Sequence, residues 1–212
     1  MQSIFINTGA QDMIRRAKRV AEMTEAGYHI GADAIIFSAI AVEAFPSDFV
    51  GWASFIFDRE PGYDKRVIAA VRLLKQAESD KLQIKLKYQL LHYALVGEGT
   101  DTGANPYQDF SFLIDLRNAL VHHKVDIVDL TTRSFEQQIA KIHQGLIQRK
   151  LVVRPTEHMP DDWKMVLDES PLAARWAVTT TQRMIKHTVD SIPDQKVREW
   201  YKFSSIFKET QH

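Results

Sequence analysis

Apolar residues recur at intervals of three and four positions along nearly the whole chain, whereas strictly alternating runs are few and short. The first spacing is typical of an amphipathic α-helix and the second of a half-buried β-strand. The sequence therefore predicts an all-α protein. The predicted helices cover residues 10–26, 64–77, 82–96, 107–122, 133–148, 171–192 and 196–207.

An apolar segment from Ile30 to Phe57 separates the first two of these helices. It predicts the central element of a bundle, either as two buried helices or as one helix kinked at Pro46, because proline has no N–H to donate. Its part from Ala34 to Phe57 is also long enough to span a bilayer. Glu43 and Asp48 near its middle argue against that, because each carboxylate there would cost about 2.5 to 3.5 kcal/mol.

Apolar stripes predict which face of each helix is buried. In the first helix, residues 13, 17, 20 and 23 share a face, and in residues 82–96 the positions in phase are 82, 86, 90 and 93. Residues 64–77 and 82–96 are predicted to form an antiparallel pair, and the Gly- and Asp-rich segment 97–106 is predicted to be a loop. The helix after this loop has Phe110, Leu113, Leu116 and Leu120 as its predicted core stripe.

Composition narrows the class of protein. The chain has 212 residues, and its 27 basic side chains equal its 27 acidic ones, so no overall field attracts nucleic acid or an anionic membrane. Cysteine is absent, which excludes disulfides and thiolate chemistry. The first twenty residues lack the features of a secretory signal. We expect a single domain, residues 1–212, in the cytoplasm and without membrane contact.

The helix at 107–122 ends in the one set of residues that suggests chemistry. Its last part reads LIDLRNALVHHK, in which Arg117 and Asn118 are followed by His122. Histidine can accept and donate protons near neutral pH, and arginine offers a permanent charge with forked donors for phosphate oxygens. No Gly-rich phosphate loop, dinucleotide fingerprint or metal-binding His motif occurs in the chain.

This arrangement resembles the signature of the HEPN superfamily, in which an arginine is followed directly by a polar residue and, five positions after the arginine, by a histidine. An early apolar helix with an acidic residue, Glu43, and the signature helix after a loop are also similar to HEPN proteins. The resemblance covers about residues 31–124. It implies a four- to five-helix bundle, with a core at about 10–130, and additional C-terminal helices at about 131–212.

The resemblance also implies a function, metal-independent RNA cleavage by attack of the ribose 2′-hydroxyl on the adjacent phosphate, without a cofactor. Arg117, Asn118 and His122 would be catalytic. The biological setting that the resemblance implies is a bacterial stress or phage-defence system, with an antitoxin or another protein as partner. In HEPN ribonucleases the signature helices of two subunits face each other, so the resemblance implies a homodimer. Arg117 and His122 lie about 140° apart around an ideal helix, so they converge only if the arginine side chain swings across, the last turn unwinds or a second subunit supplies the histidine. Glu43 would hold Arg117 in place, since buried charges need partners.

Three alternatives remain open from the sequence. The chain can be a non-catalytic HEPN module for dimerisation, nucleotide binding or protein binding, because fold does not fix function. It can also be a structural bundle in which Arg117 pairs with Asp115 or Glu43. Finally, cations in the last turn of a helix complement its dipole without any catalytic role. His123 has the wrong offset for catalysis and either faces solvent or makes a supporting contact with the substrate, and no metal site is predicted.

Overall fold

The computed structural model describes residues 9–57, 62–121, 133–152 and 163–202. These residues form nine α-helices and no strand, which confirms the all-α prediction. The helices are α1 Gly9–Glu25, α2 Gly31–Phe57, α3 Lys65–Ser79, α4 Ile84–Val96, α5 Tyr107–Val121, α6 Arg133–Gln148, α7 Trp163–Asp168, α8 Pro171–Asp190 and α9 Gln195–Lys202. The predicted helical residues 203–207 lie outside the described ranges.

Helix α2 is the centre of the bundle and continues through Pro46 as one element. Of the two predicted forms of this segment, the structure therefore has the single helix. It is long and apolar enough to cross a membrane by length and composition, and half of its most apolar window is buried inside the protein. The core helix of a soluble protein has the same properties, and α2 packs against helices α1, α3, α5 and α8.

Helix α1 lies along α2 with its N-terminus fixed by a side chain of α2. The Asp48 carboxylate accepts hydrogen bonds from the backbone N–H groups of Gly9, at 3.3 Å, and Ala10, at 2.8 Å. These two groups have no acceptor within the helix, and a carboxylate also suits the positive end of the helix dipole. The predicted apolar stripe of α1 is confirmed at Ala17, and at its other three positions the buried residue lies one position later. The buried residues are Ala10, Ile14, Ala17, Ala21 and Thr24.

Helices α3 and α4 form the predicted pair, but α4 buries a different face from the one expected. Its buried residues are Tyr88, Leu91 and Leu95, whereas the stripe predicted from spacing, residues 82, 86, 90 and 93, is only partly buried or exposed. Helix α4 is apolar on more than one side, so periodicity alone did not distinguish the inner face from the outer face.

Helices α7 and α8, in the last third of the chain, belong to the same core as the N-terminal helices. The Thr181 hydroxyl donates to the buried Ser38 carbonyl at 2.9 Å, and the carboxylate of Asp168 accepts from the Ala32 N–H at 3.1 Å. Pro171 occupies the first turn of α8, as expected, and the preceding Ser170 caps the helix.

Helix α6 begins and ends where the sequence predicted, whereas the short helix α7 was not predicted.

Candidate functional site

Helix α5 carries the described part of the predicted site near its C-terminal end. Its N-terminus is fixed by the Asn105 side chain, whose oxygen accepts from the Asp109 N–H at 3.3 Å. Its core stripe is buried as predicted at Phe110, Leu113 and Leu116, which are fully covered. Burial of this stripe fixes the rotation of α5 about its axis, and the rotation places Arg117 at the boundary between core and solvent.

Arg117 extends toward α2 and is held by two acceptors. Its Nη2 donates to Glu43 Oε2 at 3.3 Å, and its Nη1 donates to Asn118 Oδ1 at 3.0 Å. The exposed fractions of the side chains are 23% for Arg117 and 30% for Glu43, so the ion pair is half-buried rather than sealed. The pair joins two helices that are far apart in the sequence and fixes the direction of the guanidinium group.

The guanidinium group retains donors beyond these two bonds. An arginine side chain has five N–H groups. Among the described residues, the Nε of Arg117 has no acceptor although it is buried. Asn118 is exposed and uses its amide oxygen on Arg117, and its two amide N–H donors have no acceptor among the described residues. The buried Nε is covered, so the donors from which an oxyanion can accept are the remaining N–H groups of Arg117 Nη1 and Nη2 and those of the Asn118 amide.

Three further residues considered in the sequence are not found in contact with Arg117 in the described part of the chain. His122 and His123 lie outside the described residues, which end in this region at Val121. Asp115, the second acidic partner considered for Arg117, instead pairs with Lys85 of α4 at 2.7 Å. The structure thus brings Arg117, Asn118 and Glu43 together and leaves Asp115 out of that cluster.

A second polar cluster beside Glu43 was missed by the sequence analysis. One turn after Glu43, the Ser47 hydroxyl of α2 donates to Glu78 Oε1 at 2.9 Å, and Lys87 Nζ contacts the same oxygen at 2.9 Å. The hydrogen bond from Lys87, which is only 13% exposed, lowers the pKa of the Glu78 carboxyl. One sequence feature could have indicated this cluster. Lys87 is a charged residue directly before Tyr88, which is buried on α4.

Other titratable groups do not extend the site. The rings of His92 on α4 and His187 on α8 stack with centroids 5.6 Å apart, and burial together with the charge of His187 lowers the pKa of His92. Within the described ranges, no group of three or more His, Cys, Asp or Glu side chains is placed to hold a metal ion.

Comparison with known proteins adds no identification, since no family model, curated protein or solved structure matches the chain.

Proposed function

We propose that the protein is a HEPN-like endoribonuclease that cleaves RNA without a metal ion, by attack of the ribose 2′-hydroxyl on the adjacent phosphate. The observation that carries the proposal is Arg117, whose guanidinium is oriented by Glu43 and Asn118 and is still partly open to solvent at the end of the helix that leads to His122. A pre-oriented cation with free donors suits the developing charge of a phosphorane.

Each residue has a distinct role in this proposal. His122 moves the protons, Arg117 stabilises charge on the nonbridging oxygens, and Asn118 donates to phosphate through its free amide N–H groups. Glu43, which contacts the arginine, acts as a positioning residue. His123 contributes a contact with the RNA.

A homodimer completes the proposed site. Arg117 and His122 diverge by about 140° around an ideal helix, so the histidine that acts with a given arginine comes most directly from a second subunit. The setting we propose is cytoplasmic, in a bacterial stress or phage-defence system with an antitoxin or another protein as a further partner.

The test is incubation of the protein with total RNA in excess chelator, followed by analysis of the 3′ ends. We expect cleavage with cyclic phosphate ends by the parent, and a rate at least about 100-fold lower for His122→Ala, since general acid–base catalysis typically contributes that much. His187→Ala is the matched control, because this exposed histidine of α8 is not part of the site. Cleavage that persists in His122→Ala would contradict the mechanism.

A non-catalytic HEPN module for dimerisation, nucleotide or protein binding is the second candidate. The observation that favours it is the balance of 27 basic and 27 acidic residues, because proteins that bind long RNA commonly carry a basic excess. This candidate predicts that the purified parent cuts no RNA at any concentration.

A further inference from the structure

Two histidine rings stack where helices α4 and α8 meet. The ring centroids of His92 on α4 and His187 on α8 are 5.6 Å apart, and the ring planes lie within 12° of parallel. His92 is half-buried and His187 is exposed, so the pair is open to protons from solvent. Helix α4 packs chiefly on α3, whereas α8 packs chiefly on α2 and α1. The stack is therefore one of the few direct contacts between α4 and α8.

Protonation of both rings places two positive charges in this contact. Histidine is the side chain whose ordinary charge change falls between about pH 5 and 8. Burial, followed by the charge of His187, lowers the pKa of His92, and the charge of Glu98 opposes this effect. The folded protein therefore binds this proton less readily than the unfolded chain does. The contact stabilises the fold above pH 6.5, the ordinary pKa of histidine, and this contribution is lost progressively as the pH falls below that value.

The other charges around the stack come from groups that do not titrate in this range. Glu98, which follows α4, is the carboxylate whose charge acts on His92, and it is exposed. Carboxylates, amines and guanidinium groups ordinarily keep their charge between about pH 5 and 8. On the surrounding helices α2, α3, α4, α5 and α8 such groups include the ion pairs Lys85–Asp115, Lys87–Glu78, Arg117–Glu43 and Lys186–Asp190 and the exposed Arg183.

We propose that the His92–His187 stack is a pH-sensitive contact that holds the C-terminal end of α4 against α8 while the rings are neutral and releases it when both are protonated. Two positive charges 5.6 Å apart in a half-buried contact repel each other, because water screens them incompletely. The last turn of α4 ends at its C-cap Gly97 and leads through residues 97–106 to α5. Acid therefore loosens the end of the element that precedes the helix with Arg117.

The release is local and does not depend on the proposed function. Leu91 and Leu95 are buried on the inner face of α4, so the helix as a whole stays packed while its last turn opens more often. The stack contains none of Arg117, Asn118 and Glu43. Its response to pH can therefore be measured whether or not the protein cleaves RNA.

Hydrogen exchange measures this opening. We expect the protection factors of the backbone amides in the last turn of α4, residues 93–96, to fall about 10-fold between about pH 8 and about pH 5, because two charges at this distance repel with an energy of that size. Amides in the middle of α2 should keep their protection. His92→Gln and His187→Gln each leave at most one charge in the contact, so each should abolish the loss. His143→Gln replaces a half-buried histidine of α6 and is the matched control that should retain it.

Titration of the His92 ring, followed by NMR, provides a second measurement. In His187→Gln this titration should move to higher pH, because a charge that lowers the pKa of His92 has been removed. Four results would overturn the proposal. They are protection of residues 93–96 that does not change with pH in the parent, an equal loss in His92→Gln, a simultaneous loss across all helices, which indicates global acid unfolding, or a His92 titration that is the same with and without His187.

Discussion

At the scale of single residues, the geometry of the candidate site depends on which carboxylate pairs with Arg117. The sequence offered two carboxylates, Asp115 on the same helix and Glu43 on α2. In the structure, Arg117 forms an ion pair with Glu43, and Asp115 forms one with Lys85. Residues two apart on a helix point in different directions, so Asp115 was poorly placed for Arg117.

The Arg117–Glu43 pair should contribute modestly to stability. Both side chains retain contact with water, so the contribution should fall near that of a surface pair and not near the 3–5 kcal/mol of a fully buried one. We expect Glu43→Gln to lower the free energy of unfolding by about 1 kcal/mol, measured by urea denaturation. Because the amide still accepts a hydrogen bond, the fold should persist while the guanidinium loses its charged partner.

Asp115→Asn is the matched control for this substitution. It removes the acidic charge of the Lys85–Asp115 pair, which is more exposed and also involves a residue of α5. Its cost should be smaller, at most about 0.5 kcal/mol. A loss of several kcal/mol in Glu43→Gln would show that Arg117 serves chiefly as a buried structural ion pair.

At the scale of helices, α2 illustrates how a proline is accommodated inside a buried element. Pro46 has no N–H, so the carbonyl of Val42, four positions earlier, lacks its helical donor. The hydroxyl of the buried Tyr88 on α4 donates to this carbonyl at 3.1 Å. Burial, followed by the charge of Asp48, raises the pKa of Tyr88 well above its usual value, which keeps the hydroxyl protonated as a donor.

Removal of this hydroxyl should therefore destabilise the protein. Tyr88→Phe leaves the buried Val42 carbonyl without the hydroxyl donor and should cost about 1–3 kcal/mol. In a Pro46→Ala background the helix regains a backbone N–H at position 46, so the same substitution should cost about 1 kcal/mol less. Thermal unfolding of the four proteins in this cycle measures the coupling, and equal costs in both backgrounds would contradict the pairing.

At the scale of the whole molecule, the start of α2 is packed tightly against the end of α7. A Cβ on Gly31 would lie 2.2 Å from the Leu167 carbonyl oxygen, and the neighbouring Ala32 N–H donates to Asp168. Because the obstructing atom belongs to the backbone, it cannot rotate away as a side chain can. Gly31 thus permits the chain's last third to pack against its first third.

Alanine substitution of two glycines in α2 tests this contact. Gly31→Ala should lower the free energy of unfolding by about 1–3 kcal/mol through overpacking. Gly51→Ala, at a helical position with no atom within 4 Å of the added Cβ, should raise it by about 0.5–1 kcal/mol. Urea denaturation of both variants provides the comparison, and equal changes in the same direction would refute the packing argument.

The sequence by itself determined the helical class, most helix positions and the buried stripe of α5, because these follow from local spacing and composition. It also predicted Glu43 as a partner for Arg117, because a carboxylate in an apolar helix needs one. Its errors were three of the four stripe positions of α1 and the inner face of α4. In α4 the apolar residues are shared by two faces, so spacing alone did not select the buried face.

Only the tertiary structure decided which distant groups meet. Tyr88 reaches the carbonyl freed by Pro46, Ser47 and Lys87 share Glu78, and Asp168 caps α2 from 136 positions away. Spacing along one helix fixes the directions of side chains relative to that helix alone. The rotation and depth of each helix against its neighbours arise from the packing of all of them together, and these contacts depend on that packing.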